Sequence, residues 1–188
     1  MSGQQPRIAP LPLEDRTQEQ RALLAAVLGD RAPNLFTTLV RHPELFRTWL
    51  PFCMRLLTNS VFPPRERELL IIRTAWLCGS TYELGHHLRL GADEGLTEHD
   101  LAAVTGDGPP AWTPREQLLI TAVDELHANH TIRDATWHEL SPLLTTEQLI
   151  ELPMVVGHYI LLAGTLASLG VPLDSDRPGL PSPSEIAL

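Results

Sequence analysis

Apolar residues recur along this chain three and four positions apart, the period of an amphipathic helix, and no stretch alternates with the period of two expected of a half-buried strand. Thr17 and Gln20 form a capping-box pair ahead of Leu23, Leu24, Val27 and Leu28, so a short helix is predicted there, followed by a break over 30–34. From Leu35 to Asn59, the residues Leu35, Leu39, Leu45, Trp49, Met54 and Leu57 keep helical spacing. Within that run Pro43 suits the first turn of a new helix, and Pro51 predicts a kink or a boundary. After the break at 60–64, a helix begins at Pro64 and runs to the Cys78-Gly79-Ser80 junction. A further helix is expected from Ser80 to near Gly91, and a short one capped by Thr97 to about Val104.

Residues 106–110, Gly-Asp-Gly-Pro-Pro, read as a loop. Thr113, Pro114 and Glu116 then supply a cap, a first-turn proline and a box-closing glutamate for the next helix. Its Pro-Arg-Glu start repeats the one at Pro64; two helices built with the same good caps explain that better than a duplication, because the match soon fades. A short helix over 133–144 should turn Trp137 and Leu140 inward. Thr145 and Gln148 then cap a long apolar helix from Leu149 to about Leu169, with Pro153 near its first turn. The expected fold class is all-α: a single-domain helical bundle over 17–170, an N-terminal arm over 1–16 and a C-terminal tail over 171–188.

Composition narrows the function classes. The chain has 188 residues, 43% of them hydrophobic, which suffices for a buried core. A formal charge of −9 leaves no basic stripe for nucleic acid or an anionic membrane. No apolar run is expected to approach the ~20 residues of a membrane span, and the first residues lack a cationic-then-apolar leader pattern, so a cytoplasmic protein is expected. Cys53 and Cys78 form no CxxC pair and are read as reduced thiols.

Chemistry concentrates in residues 64–87. Glu68, Cys78, Ser80, Tyr82, Glu83, His86 and His87 interrupt an apolar pattern, and Ser80, Glu83 and His87 share one helix face. A hydroxyl, a carboxyl and an imidazole in one stripe suit proton transfer. Ser80 and Glu83 equally have the form of a capping box, and one carboxylate can serve both roles. At a helix N-terminus Glu83 is expected to stay ionised, as a base, and His87 is the natural proton carrier at neutral pH. His86 points about 100° away and Tyr82 reads as packing. Glu68 lies in a first turn, where the helix dipole alone favours an acid, and Arg73 either pairs with an acid or holds an anionic substrate. His127 and His130 flank a helix end. His158 and Tyr159 are expected to approach the site from the last helix, with Gly157 and Gly164 permitting close packing. No metal site is expected, since a third ligand does not accompany Glu83 and His87.

Glu68, Ser80, Glu83 and His87 have the spacing of the signature of the carboxymuconolactone decarboxylase and alkylhydroperoxidase D superfamily, a glutamate followed by a CxxC pair and a histidine. Gly79-Ser80-Thr81-Tyr82-Glu83-Leu84-Gly85-His86-His87 resembles its Gly-Ser-x-Tyr-Glu-x-x-His-His branch, and the likeness extends over roughly residues 40 to 170. The resemblance implies an all-helical fold, a homo-oligomer (trimer, dimer or hexamer) and a small-molecule substrate, with no cofactor. It implies catalytic roles for Glu68, Ser80, Glu83 and His87, with Tyr82, His86, Cys78 and Arg73 binding substrate or supporting the site. Ser80 and Glu83 replace the two cysteines of the peroxidase branch. Three functions follow. The first is a cofactor-free acid/base enzyme acting on a small carboxylate, lactone or carbonyl compound, and the second a peroxidase working through Cys78. The third is a non-catalytic oligomeric binding protein.

Overall fold

The computed structural model describes residues 5–106 and 112–174. Among them the regular elements are all helical: α1 Gln18–Leu24, α2 Asn34–Leu39, α3 Pro43–Thr58, α4 Pro64–Leu77, α5 Thr81–Asp93, α6 Glu98–Val104, α7 Pro114–Asn129, α8 Asp134–Leu140 and α9 Thr146–Leu169. The loop expected at 106–110 lies outside the described residues except for Gly106, as does the tail beyond Asp174. The described residues divide into two compact units, one within 1–58 and 165–188 and one within 59–164.

In the first unit the N-terminal arm is docked. The amides of Arg7 and Ile8 donate to the Leu169 carbonyl at 2.9 and 3.1 Å, and that of Leu11 donates to Thr37 at 3.0 Å. Asp174 accepts the Asn34 amide at 2.8 Å at the start of α2, where an acidic group meets the positive helix end. Phe36 and Phe46 meet edge to face at 6.4 Å in the core. Helix α3 runs unbroken through Pro51, so the expected boundary is absent. Pro51 lies on the exposed side, where water can satisfy the carbonyl that its missing N–H leaves open.

The second unit is built around α4. Leu69, Leu70, Ile71 and Ile72 are consecutive and all fully buried, because α5 and α7 cover different sides of the helix. The repeated Pro-Arg-Glu starts now have a physical reason. Arg65 donates to Glu116 at 2.7 Å, and Arg115 donates to Glu66 at 2.8 and 3.0 Å. Each helix's first-turn glutamate thus receives the other's arginine. Thr97 and Thr113 cap α6 and α7 as predicted, and Thr145 does the same for α9. Glu151 in α9 accepts from the Ser60 hydroxyl and the Val61 amide.

Three expectations are corrected here. Helix α8 is shorter than 133–144, and Trp137 faces solvent while Leu140 is buried. Pro153 sits inside α9, a full turn and more past its start. Helix α9 also contains an 18-residue apolar window, long and apolar enough by composition to cross a membrane, contrary to the expected lack of such a run. Part of that window is core: Leu152, Val155, Val156, Tyr159 and Leu162 are buried. A Cβ placed on Gly157 or Gly164 would meet nothing within 4 Å, so neither glycine serves close packing in this chain.

Gly91 does. A Cβ there would lie 2.8 Å from Leu96 and 2.9 Å from Ile72, both in the cluster that joins α4 to α6. Gly91→Val is expected to cost about 1–3 kcal/mol by overpacking, read as a lower urea midpoint with unchanged slope.

Candidate functional site

Helix α4 ends at a left-handed Gly79, with φ of 62°, a conformation that glycine adopts without steric cost. That turn aims α5 back along α4. The first turns of α5 therefore face the interior, and Tyr82, Glu83, His86 and His87 are all buried. Polar groups placed there need partners or carry a cost.

His87 finds one on α4. Its Nδ1 lies 2.7 Å from Oε2 of Glu68, and both side chains are fully buried. The other carboxyl oxygen, Oε1, accepts from Nε of Arg67 at 3.0 Å, with Nη2 equally close. Arg67 Nη2 lies 3.6 Å from Glu94 just past α5. Burial alone would raise the Glu68 carboxyl, but His87 and Arg67 outweigh it and hold the group below the usual carboxylate range. An ionised Glu68 accepts from Nδ1–H; in a neutral imidazole so bonded the lone pair is on Nε2. Nε2 has no hydrogen-bond partner among the described residues. The Tyr159 ring meets the imidazole edge to face at 5.2 Å. The expected approach of α9 is therefore present, and His158 beside Tyr159 is pushed down to about 4 by burial, so it is neutral at working pH.

Glu83 differs from what the sequence implied in two ways. The Ser80–Glu83 capping box does not form: Ser80 makes no side-chain cap, and neither Glu83 oxygen has a hydrogen-bond partner among the described residues. Burial pushes its carboxyl up to about 8, and the nearby Ser80 hydroxyl opposes the rise only in part. Glu83 is thus a neutral acid at pH 7, where an ionised base was expected. Magnitudes explain the reversal. A helix dipole contributes about 0.3–1 kcal/mol, whereas burial of a carboxyl can shift it by up to about 3–5 pH units, at about 1.4 kcal/mol each.

The remaining candidates divide. The His86 ring lies 4.6 Å from that of Tyr82, consistent with packing. Arg73 is held by Asp124 on α7, with Nε and Nη2 at 2.7 and 3.1 Å from its carboxylate, and by the Val104 carbonyl at 3.0 Å. Arg73 thus clamps α4 to α7 and to the end of α6. Cys78 is half-buried, and burial, together with the charge that Glu83 gains once it ionises in alkali, pushes its thiol up, the reverse of what a reactive thiolate needs. Cys53 belongs to the other unit, and the described residues contain no disulfide. His130 takes the C-terminal position of α7 and Arg133 follows it; its amide donates to Glu125 at 2.8 Å. No cluster of three metal-ligating side chains occurs among the described residues. The reading of the sequence missed Arg67 and Glu94. The available signal was a charged residue beside Glu68, directly ahead of the all-round apolar run Leu69 to Ile72.

The sequence profile of the carboxymuconolactone decarboxylase family matches residues 43–125, the stretch that holds Glu68, Ser80, Glu83 and His87. No curated protein matches the chain by sequence. Among solved structures, an AhpD-core, peroxidase-related protein from Ralstonia eutropha JMP134 is similar with a TM-score of 0.71 and 19% identity, over 90% of this chain and 94% of that one. The debrominase Bmp8 is similar with a TM-score of 0.70 and 14% identity, over 89% of this chain and 92% of that one. A cysteine-to-alanine variant of that debrominase, in complex with 2,3,4-tribromopyrrole, superposes as well, with a TM-score of 0.70. At these identities the likeness is one of fold. Residues 43–125 thus resemble the carboxymuconolactone decarboxylase family, and the chain shares its all-α fold with AhpD-like structures.

Proposed function

We propose that the protein is a cofactor-free acid/base enzyme acting on a small carboxylate, lactone or carbonyl compound, by decarboxylation or a related lyase or isomerase step. The observation that carries this reading is the buried Glu68–His87 contact at 2.7 Å, with a second carboxyl, Glu83, one helical turn away and raised to about 8. The two carboxyl groups are driven to opposite protonation states, the arrangement that assigns a base and an acid in one site. His87 Nε2 takes a proton from carbon next to a carbonyl, and Glu68 stabilises the imidazolium that forms. Neutral Glu83 donates its O–H to the enolate oxygen or carbon. In a decarboxylation the C–C bond breaks, CO2 leaves, its electron pair enters the enolate, and Glu83 supplies the proton that ends the step. Ser80, next to Glu83, hydrogen-bonds substrate in this scheme. A homo-oligomer is part of the proposal.

The peroxidase reading has less support, because the Cys78 thiol is held protonated and Ser80 and Glu83 stand where a dithiol would be. The test is a panel of β-keto acids, lactones and enolisable ketones, followed by CO2 release and by deuterium exchange at carbon. His87→Ala is expected to abolish turnover, by about a hundredfold or more, while helicity by circular dichroism is retained. Turnover equal to wild type would remove His87 from the site. No exchange or CO2 release from any compound would sink the reaction class.

A further inference from the structure

Arg67 precedes Glu68 on α4 and is only 3% exposed. Its Nε and Nη2 both reach Oε1 of Glu68 at 3.0 Å, and Nη2 also faces Oε1 of Glu94 at 3.6 Å. Oε2 of Glu68 faces His87 Nδ1. Glu94, Arg67, Glu68 and His87 therefore form one continuous line of contacts, which ends at the unbonded Nε2 of His87.

The line matters because of what a base requires. To accept a proton, His87 must begin neutral, and a neutral imidazole no longer offers Glu68 a positive charge. Burial then favours a protonated Glu68. A protonated Glu68 would donate its own hydrogen to Nδ1, moving the imidazole proton to Nε2 and leaving the ring with no lone pair there. Among the described residues, the ion pairs of Glu68 are with His87 and Arg67. Arg67 is therefore the cation that remains when His87 is neutral, and a guanidinium keeps its charge throughout.

We propose that Arg67 is a positioning residue: clamped between Glu68 and Glu94, it keeps Glu68 a carboxylate turned toward Nδ1, so that neutral His87 presents the lone pair of Nε2. The inference rests on the acid/base reading for its purpose, but the clamp can be measured without substrate. Other titratable groups on α4 and on the elements packed against it do not replace Arg67. On α5, Glu83 is neutral at pH 7, and His86 packs on Tyr82. From α9, His158 is neutral and Tyr159 meets the imidazole as a ring. Cys78 is held protonated. From α7, Asp124 and Glu116 are already engaged by Arg73 and Arg65.

The experiment follows the Glu68 carboxyl by 13C and the His87 nitrogens by 15N NMR in the full chain, without substrate, for wild type, Arg67→Met, Arg67→Lys and Glu94→Gln. Wild type is expected to show the Nδ1–H tautomer, with Glu68 titrating below the ordinary range. Arg67→Met moves the Glu68 midpoint up by about one pH unit or more and admits the other tautomer. Arg67→Lys retains most of the wild-type behaviour. Glu94→Gln removes a competing negative charge from Arg67 and moves the midpoint down. These opposed directions are what a purely structural arginine would not produce. Midpoints within about 0.3 units of wild type in both Arg67→Met and Glu94→Gln, or shifts of the same sign, would overturn the proposal. If Arg67→Met does not fold, the half-buried Glu94→Gln decides by the sign of its shift. Failure of the proposed reaction would show separately, as wild type inert toward every compound with these signals intact.

Discussion

Glu83→Gln is expected to stabilise the protein in alkali and to inactivate it. The folded carboxyl sits at about 8 because it is buried without a hydrogen-bond partner, whereas in the unfolded chain it ionises near 4.3. Between those values the folded state holds a proton that the unfolded state has released. Stability due to this group is therefore complete below about pH 4 and declines as pH rises toward 8. The separation amounts to about 5 kcal/mol at about 1.4 kcal/mol per unit. A glutamine carries no such cost, so the stability of Glu83→Gln relative to wild type should grow by that amount from pH 4 to pH 9. Urea unfolding at the two pH values measures it. A difference that does not change with pH would mean that Glu83 is solvated and ionised in the folded protein. The same variant cannot donate a proton, so stability rises where turnover falls, as expected when strain is kept for function.

What could be read in advance followed the range of the physics involved. Caps are local, and the boxes at Thr17, Thr97, Thr113 and Thr145 formed as their spacing implied. Ser80 and Glu83 have the same spacing and did not, because the first turn of α5 faces inward, and a spacing rule does not say which way a turn faces. The charge of Glu83 was misjudged for the same reason: the helix end was visible in sequence and the burial was not. The reciprocal arginines of α4 and α7 join positions about fifty residues apart, so the repeated motif was plain and its purpose was not. Trp137 turned outward because α8 is only seven residues long, too short for periodicity to select a face. For the candidate site, His87 stood out by its own chemistry and Glu68 only through the resemblance to a family signature, and the pairing expected along α5 was replaced by one across two helices. His87 is bonded to Glu68, and Glu83 is left to act separately.

That replacement leads to the second large effect. Glu68→Gln removes the shared partner of two buried cationic or polar groups: Arg67 is left with Glu94 at 3.6 Å, and His87 Nδ1 faces an amide. Breaking a buried pair from one side costs about 3–5 kcal/mol, so an equilibrium unfolding midpoint well below that of wild type is expected at pH 7. The acid limb changes as well. Because the folded Glu68 is held below the ordinary range, its contribution is present above that range and is lost as pH falls through the folded value. The variant lacks this contribution, so the gap between the two proteins should narrow on acidification. His87→Gln is expected to cost less, since Arg67 still holds Glu68. The double variant should fall short of the sum of the singles by about 1–3 kcal/mol, the coupling typical of groups in direct contact. Turnover obeys a different rule. If imidazole and carboxylate act as one unit, either single change loses about as much rate as both together. Losses that multiply in the double variant would separate the two residues, and His87 would then have to work without the carboxylate against which it is packed.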